Sequence, residues 1–251
     1  MTHPHSAPSS PAIDLSERGA AVDGKPQSLD RRLFVQLVAL EAPRVPGADH
    51  VAKALNEALA TQPFGSVVYA DLHHPLGLAV VAWSEDISHL AGAFRSVLGD
   101  ARLPVGLRVR PEFGMLGRTY SSGFETDLAF WVLDRPKRTL LEPEWNYAIW
   151  YPLRRKGPFE RLEPREKGPI MAEHGAIGRA YGEQNLAHDI RLSCHGLDTN
   201  DNDFVIGLVG KELYPLSHVV QSMRKTKQTA EYMEKMGPFF VGQALYRNAG
   251  R

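Results

Sequence analysis

The sequence predicts an α+β fold made of two tandem ferredoxin-like units, each with the element order β-α-β-β-α-β. Two observations support this prediction. Alternating apolar residues, typical of strands, and apolar residues at helical spacing follow one another in the same order twice along the chain. The chain also has 251 residues, 43% of them hydrophobic, which is enough to bury a sizeable core. Pairing the units through their sheets, as in a dimeric α+β barrel, covers all of the predicted apolar faces.

The first unit is predicted within residues 31–145. Its four strands are expected at Leu33–Leu40, Ser66–Leu72, Leu78–Trp83 and Leu107–Arg110. Its two helices are expected at Asp49–Ala60 and Ile87–Leu98. Asp49 and Ser84 have the side chains expected of N-caps for these helices. The connecting segment 111–145 has one further strand pattern, around Leu128–Leu133.

The second unit is predicted within residues 146–251 and repeats the same order. Its four strands are expected at Tyr147–Leu153, Asp189–His195, Asp203–Val209 and Phe239–Tyr246. Its two helices are expected at Glu163–Gly182 and Leu216–Met236. Gly168 and Pro169 predict an irregular first turn in the first of these helices. Gly237 and Pro238 are typical of the end of the second.

Residues 1–30 are expected to form a disordered tail. They contain four prolines among small and charged residues, and they lack the apolar centre of a secretory signal. No apolar run in the chain approaches the roughly 20 residues that a membrane span requires. We therefore expect no targeting leader and no membrane span.

Composition narrows the classes of function. Lys+Arg and Asp+Glu both number 29, so a net charge of zero provides no field that would gather nucleic acid or anionic lipid. The one cysteine, Cys194, excludes disulfides within the chain and cysteine-rich zinc or iron–sulfur sites, and it favours a reducing cytoplasm. The sequence also lacks the glycine-rich nucleotide loops, the H-E-x-x-H zinc motif and the G-x-S-x-G hydrolase motif.

A histidine lies on the apolar stripe of the helix predicted at Glu163–Gly182. The stripe consists of Ile170, His174, Ile177 and Tyr181. The small residues Gly175 and Gly178 would let a flat ligand approach this helix closely, and a neutral imidazole is a good iron ligand. A hydrogen-bonded core histidine has the same pattern, and both interpretations stay open from spacing alone.

Polar residues line one face of the strand that follows this helix. Asp189, Arg191 and Ser193 alternate with apolar residues, which indicates either a solvated face or a pocket wall with an anion-binding guanidinium. Tyr151 precedes Pro152 at the end of another strand and is followed by basic residues. Simple packing and surface charge would account for that segment equally well.

Five motifs, taken in order, resemble those of the chlorite dismutase superfamily, and most closely its coproheme decarboxylase branch. They are Tyr-Pro at 151–152 with basic residues after it, MAEHGAIGRAY at 171–181, GLD at 196–198, MRKTKQTAEY at 223–232 and PFFVG at 238–242. The resemblance is strongest from 147 to 246 and fainter through the first half. One departure from the branch is Leu153, where its members often have methionine.

The resemblance implies a role for each of several side chains. His174 would be the axial ligand of haem iron. Tyr151 would face a propionate and form the radical that abstracts a hydrogen atom during decarboxylation. Arg155 would contact the pocket, and Thr229 and Arg138 would hold propionates. The residue opposite the iron is glutamine in one group of decarboxylases and arginine in chlorite dismutases.

Two residues compete for that position opposite the iron. Counting back from the GLD motif selects Asp189, and a shift of two residues, which keeps the strand face, selects Arg191. An aspartate there would act as a base toward bound peroxide. An arginine would instead stabilise the anionic intermediate of chlorite decomposition. Both assignments stay open at this point.

The function implied by the resemblance is oxidative decarboxylation of iron coproporphyrin propionates by hydrogen peroxide, in haem biosynthesis. Haem b or coproheme would be the cofactor, and the porphyrin and peroxide would be the partners. Relatives form rings, so a homo-oligomer, specifically a pentamer, is expected; the sequence itself offers only exposed sheet edges for assembly. The alternatives are chlorite decomposition to chloride and dioxygen, a non-catalytic haem-binding or sensing protein, and a duplicated scaffold without haem.

Overall fold

The strands of this protein pair with one another in antiparallel orientation. The computed structural model describes residues 13–251. Its strands are β1 (Glu17–Val22), β2 (Lys25–Leu29), β3 (Phe34–Glu41), β4 (Gly65–Asp71), β5 (Gly77–Ser84), β6 (Arg108–Thr119), β7 (Tyr147–Arg155), β8 (His188–Ser193), β9 (Phe204–Gly210), β10 (Met233–Met236) and β11 (Phe240–Asn248).

Helices connect these strands. The α-helices are α1 (Ala48–Leu59), α2 (Arg95–Leu98), α3 (Arg135–Leu141), α4 (Gly157–Glu160), α5 (Pro164–Glu183), α6 (Leu213–Met223) and α7 (Lys227–Tyr232). Two of them are preceded by π-helical turns, His89–Phe94 before α2 and Phe130–Asp134 before α3. No helix within residues 13–251 is both long and apolar enough to cross a membrane.

Eight of the strands close into a barrel. Their order is β7-β11-β4-β5-β3-β6-β8-β9, and β9 pairs with β7 to complete the circle. The first half contributes β4-β5-β3-β6 and the second β8-β9-β7-β11, which is the same arrangement used twice. The predicted α+β class is therefore confirmed, and each half has the strand order of a ferredoxin-like unit. Every barrel strand among the described residues pairs on both sides, so the expected exposed sheet edges are wrong for the barrel.

Side-chain alternation divides the barrel strands between an inner and an outer core. Trp150 of β7, Ile190 of β8 and Val205 of β9 point into the barrel and belong to its buried interior. The other face of each strand points outward to the helices. α1 and α2 cover the outer face of the first half, and α5 and α6 cover that of the second. The candidate site lies in this second outer layer.

The N-terminal tail prediction is wrong for residues 17–29, which form the hairpin β1–β2. Asp23 and Gly24 both have positive φ, of 50° and 73°, as a tight two-residue hairpin turn requires. Gln27 ties the hairpin to the rest of the chain, because its amide donates to the Glu125 carbonyl at 2.8 Å and accepts from the Leu128 amide at 3.0 Å. Residues 1–12 of the predicted tail lie outside the described residues.

The strand predicted at Leu128–Leu133 is also wrong, because this segment is helical and leads into α3. Its buried side chains include Leu128 and Val132, which are four residues apart and so share one face of a helix. A short apolar run does not by itself distinguish a strand from a buried helix. The predicted strand at 107–110 is present and continues to Thr119 as β6.

The helix predicted at Leu216–Met236 is divided in three. α6 ends at Met223, Thr226 caps the separate helix α7, and Met233–Met236 forms β10, which pairs with β7. Pairing with a distant strand therefore overrides the local helical pattern. A smaller correction concerns α1, whose N-cap is Gly47 rather than the predicted Asp49.

Candidate functional site

The helix α5 lies outside the second half of the barrel and buries little of itself. Glu163 is the N-cap of this helix and forms a capping box with Glu166. The side chain of each residue accepts a hydrogen bond from the backbone amide of the other. Of its 20 residues, Ile170 is the one that is fully buried. By contrast, α1 has 12 residues and buries six of them. α5 therefore leaves much of its inward stripe uncovered by protein.

His174 lies on this inward stripe and is half-buried, as its spacing predicts. Its Nδ1 is 3.3 Å from the hydroxyl of Thr226, which precedes α7. Burial lowers the pKa of His174 below its ordinary value, and the positive charge of Arg155 lowers it further. The imidazole is therefore neutral at pH 7 and able to act as a metal ligand through Nε2.

The strand β8 presents charged side chains to the same layer. Ile190 and Leu192 are buried inside the barrel. Asp189 and Arg191, which alternate with them along the strand, therefore lie on the outer face. The predicted alternation is confirmed. The negative charge of Asp189 raises the pKa of His174 and the positive charge of Arg191 lowers it, so both charges lie near the imidazole.

The carboxylate of Asp189 is held between two guanidinium groups. Arg135 donates from Nη2 to its Oδ1 at 2.7 Å, and Arg191 Nε lies 3.2 Å from Oδ2. Burial alone would raise the pKa of Asp189, but Arg191 and then Arg135 outweigh it and hold the pKa below its ordinary value. Asp189 is thus ionised, and its carboxylate is bound by Arg135 and Arg191. The side chains of Asp189 and Arg191 nevertheless stay 37% and 38% exposed, so they border an open space.

Tyr151 lies in strand β7, which β9 separates from β8, and it is opposite Ile206 of β9. Its ring stacks on Phe239 with centroids 4.6 Å apart, and the residue is 6% exposed. Burial raises the pKa of the phenol, and the negative charge of Asp189 raises it further. The phenol is therefore protonated at neutral pH, within the field of the same carboxylate that acts on His174.

Arg155 ends β7 and is held by aromatic rings. Its guanidinium lies 4.4 Å from the centroid of Phe204 and 4.8 Å from that of Phe159, as cation–π contacts. Its Nη1 is 3.4 Å from Glu160. The Nε of Arg155 is buried and has no hydrogen-bond partner among residues 13–251. A buried donor of this kind is costly unless a ligand accepts from it.

Two predicted residues are placed differently from the rest. Arg138 is exposed and stacks over Phe130, with 5.4 Å from guanidinium to centroid. Arg135, one turn earlier in α3, is the arginine that reaches β8. Thr229 is half-buried, and its amide lies 3.4 Å from Thr226 Oγ1. It therefore neighbours the residue that touches His174.

Sequence reasoning missed Arg135, Thr226 as a partner of His174, and Tyr120. Tyr120 follows β6, and its phenol lies within the fields of Arg191, Arg155 and Asp189. Burial raises its pKa. Tyr120 comes from the first half of the chain, so no local pattern in the second half would have found it.

The residues around this space fit an iron porphyrin. His174 supplies a neutral imidazole, and the buried Nε of Arg155 lacks a partner among the described residues. A Cβ built on Gly175 would have Arg179 Nη1, at 3.7 Å, as its nearest neighbour, so the helix surface beside His174 is open. Apolar side chains that are only partly buried, among them Ile177 and Ile206, line the same layer. Such a mixture of apolar walls and a few polar groups is typical of cofactor sites.

Comparison with known proteins bears on the family of this chain and on its fold. A family model described as chlorite dismutase matches residues 133–245. The C-terminal half of the chain matches the chlorite dismutase family. The family resemblance of the five motifs is thereby confirmed over this segment, which includes α5 and strands β7 to β9. No curated protein sequence matches the chain.

Solved structures of other proteins share the fold. A haem-binding protein from Thermus thermophilus superimposes with a TM-score of 0.69 and 18% identity, covering 86% of this chain and 92% of that one. A mutant chlorite dismutase from Candidatus Nitrospira defluvii, in complex with cyanide, has a TM-score of 0.65 and 14% identity, covering 85% and 91%. These likenesses establish the fold of nearly the whole described chain.

Proposed function

We propose that this protein binds an iron porphyrin between α5 and the sheet and uses hydrogen peroxide to decarboxylate propionates of iron coproporphyrin. The observation that carries the proposal is the sparse packing of α5. This 20-residue helix has one fully buried side chain, yet it holds His174 over a face with Tyr151 and Asp189. A helix that buries few of its side chains, beside a tyrosine and charged groups, is suited to a flat ligand with carboxylates.

In this proposal His174 holds the iron through Nε2. The bound iron would supply the peroxide-driven oxidation, and the protein would supply the ligand, the positioning and the charges. Each propionate, with one hydrogen peroxide and one proton, yields a vinyl group, carbon dioxide and two waters. Tyr151 would give up its phenolic hydrogen atom and take one from the propionate. The raised pKa of Tyr151 keeps the phenol protonated at neutral pH, so the hydrogen atom is present on its oxygen.

The cations on the sheet side would bind the carboxylates of the porphyrin. Arg155 has a buried Nε without a partner among the described residues, which suits a carboxylate acceptor. Arg191 shares its charge with Asp189 and borders the open space. By the resemblance, Thr229 would hold a propionate, and Arg135 is better placed than Arg138 for the arginine role because it reaches β8.

A second candidate function is chlorite decomposition. The observation that favours it is Arg191, a guanidinium on the face opposite His174, whose neighbour Asp189 is already bound by Arg135. In that reaction Arg191 would retain the anionic intermediate, and Tyr151 would have no role. A haem-binding protein without turnover would use the same ligand.

We also propose a homo-oligomer, a pentamer as the family resemblance implies. Because the barrel is closed, its strands within residues 13–251 leave no free edges through which subunits would pair. The proposal of an oligomer therefore rests on the family resemblance. The molar mass of the particle in solution, measured by light scattering, tests it: a mass of one chain would contradict it.

The test of the reaction is to load the protein anaerobically with iron coproporphyrin, titrate hydrogen peroxide and follow the porphyrin by mass spectrometry. We expect successive losses of two carboxyl groups from the wild-type sample. Tyr151→Phe should bind the porphyrin and leave its mass unchanged, whereas the matched control Tyr147→Phe on the same strand should react as the wild type does. Undiminished product from Tyr151→Phe would contradict the radical role. Oxygen release from chlorite, with no loss of carboxyl groups, would favour the second candidate.

A further inference from the structure

Within the described residues, the hydroxyl of Thr226 is the group that contacts the Nδ1 ring nitrogen of His174. Thr226 Oγ1 lies 3.3 Å from His174 Nδ1 and 2.8 Å from the carbonyl oxygen of Met223. A threonine hydroxyl has one proton, and the carbonyl is an acceptor that has no proton to share. The hydroxyl therefore donates to Met223, and its lone pairs remain for donors.

We propose that Thr226 is a positioning residue that holds the His174 imidazole in the tautomer protonated at Nδ1, with Nε2 free to bind a metal. The hydrogen on Nδ1 donates to Thr226 Oγ1, because that oxygen has already given its own proton to Met223. The iron part of this inference rests on the proposed function. The tautomer part rests on the protein alone.

The position of Thr226 is itself fixed by the contact between α5 and α7. Thr226 is 1% exposed, and it caps α7 by accepting from the amide of Thr229. Next to His174, the Glu173 carboxylate accepts from the amide of Lys227 at 3.0 Å. Two successive residues of α5 thus contact two successive residues at the start of α7. The hydroxyl cannot move away without breaking the cap, so it is an effective support for the ring.

A neutral hydroxyl has a different effect from a carboxylate in this position. A carboxylate accepting from Nδ1–H makes the imidazole a stronger donor to its metal, whereas a hydroxyl orients the ring with less effect on its basicity. Thr226→Asp keeps a good N-cap and supplies the carboxylate. Thr226→Val removes the hydroxyl at nearly constant shape, and Thr226→Ser retains it.

The first measurement uses the protein without porphyrin. In nitrogen NMR spectra of the ¹⁵N-histidine-labelled chain, we expect His174 to be protonated at Nδ1 in the wild type and in Thr226→Ser. In Thr226→Val we expect the signal to shift toward the tautomer protonated at Nε2. The buried hydroxyl of Thr139 serves as a matched control, because Thr139→Val should leave His174 unchanged. An unchanged His174 tautomer in Thr226→Val would overturn the proposal.

The second measurement uses haem b as a probe that does not depend on decarboxylation. Loss of the hydrogen-bond partner of a metal-ligating histidine typically costs about 10- to 100-fold in affinity, which we expect for Thr226→Val and not for Thr226→Ser. Thr226→Asp should raise the iron–histidine stretching frequency of the ferrous protein and lower its reduction potential. Identical frequency and potential in wild type and Thr226→Asp would overturn the proposal. Failure of the wild type to bind haem b would contradict the proposed function and leave the tautomer result to stand alone.

Discussion

Outside the first half of the barrel the helix layer is filled with apolar side chains, whereas outside the second half it is not. The first layer contains 18 buried apolar residues, from α1, the helical segment 89–98, the strands beneath them and the adjoining loops. The second contains seven, together with 12 that are only partly buried. The two halves share one strand order. Their difference therefore lies in the helix layer, and it separates a half that stabilises the fold from a half that is suited to a ligand.

The sequences of the two helices explain this difference. α1 places alanine, leucine and valine on its inward stripe, and small and branched apolar residues allow close packing on a sheet. α5 places His174 among glycines and half-buried residues, and its sheet partners include charged side chains. Charged groups on an apolar face cost free energy unless they are paired, which is why Asp189 lies between two arginines.

The largest expected effect comes from truncating an apolar side chain in each layer. Leu55→Ala in α1 should lower the free energy of unfolding by about 2–5 kcal/mol, because the side chain is fully buried. Ile177→Ala in α5 should cost less than about 1 kcal/mol in the porphyrin-free protein, because the side chain is only half-buried. Urea unfolding of both variants measures the difference. Equal losses of stability would show that the two layers are packed alike.

The next effect compares one histidine from each helix layer. His174→Ala should weaken binding of haem b by more than about 100-fold, since losing only the partner of a ligating histidine already costs about 10- to 100-fold. His89→Ala, in the first half, serves as the control and should bind as the wild type does. The absorption spectrum during a haem titration measures both. A wild-type spectrum and affinity in His174→Ala would exclude it as the axial ligand.

Much of the second half was predictable because its signals are local. The alternation at β8 indicated that Asp189 and Arg191 share a face, and the spacing in α5 indicated that His174 points inward. The contact of Asp189 with Arg135 was not predictable, since Arg135 comes from α3, 54 residues earlier. For the same reason the exposed Arg138 and the inward Arg135 were not distinguished.

The remaining differences have physical causes in long-range contacts. Met233–Met236 continues a helical pattern but pairs with β7, so tertiary pairing determines its conformation. The hairpin β1–β2 was overlooked although Asp23 and Gly24 are a typical turn pair. Its proline-rich surroundings suggested disorder. Contacts with Glu125 and Leu128 then stabilise it from about 100 residues away.

The smallest expected effect concerns the segment that joins the halves. Glu125 is buried and accepts from Ser121 and Ser122. Burial alone would raise its pKa, but these hydrogen bonds outweigh it and lower the pKa from 4.5 to about 2. Glu125→Gln should therefore cost about 1–2 kcal/mol of unfolding free energy at neutral pH.

The pH dependence of that effect has a definite sign. A lowered pKa in the folded state means that the carboxylate stabilises the protein above pH 4.5 and ceases to do so as the pH falls toward about 2. The difference in unfolding free energy between wild type and Glu125→Gln should shrink over this window. A difference that is constant with pH would show that the carboxylate charge does not contribute.

The contrast between the two helix layers is tested most directly by hydrogen–deuterium exchange of α1 and α5, with and without iron coproporphyrin. Amides in loosely packed segments exchange through local opening, whereas those over a filled core exchange slowly. We predict that α5 exchanges much faster than α1 in the porphyrin-free protein, and that porphyrin slows α5 while leaving α1 unchanged. An α5 that is as protected as α1 without porphyrin, or that porphyrin leaves unchanged, would contradict a porphyrin site between this helix and the sheet.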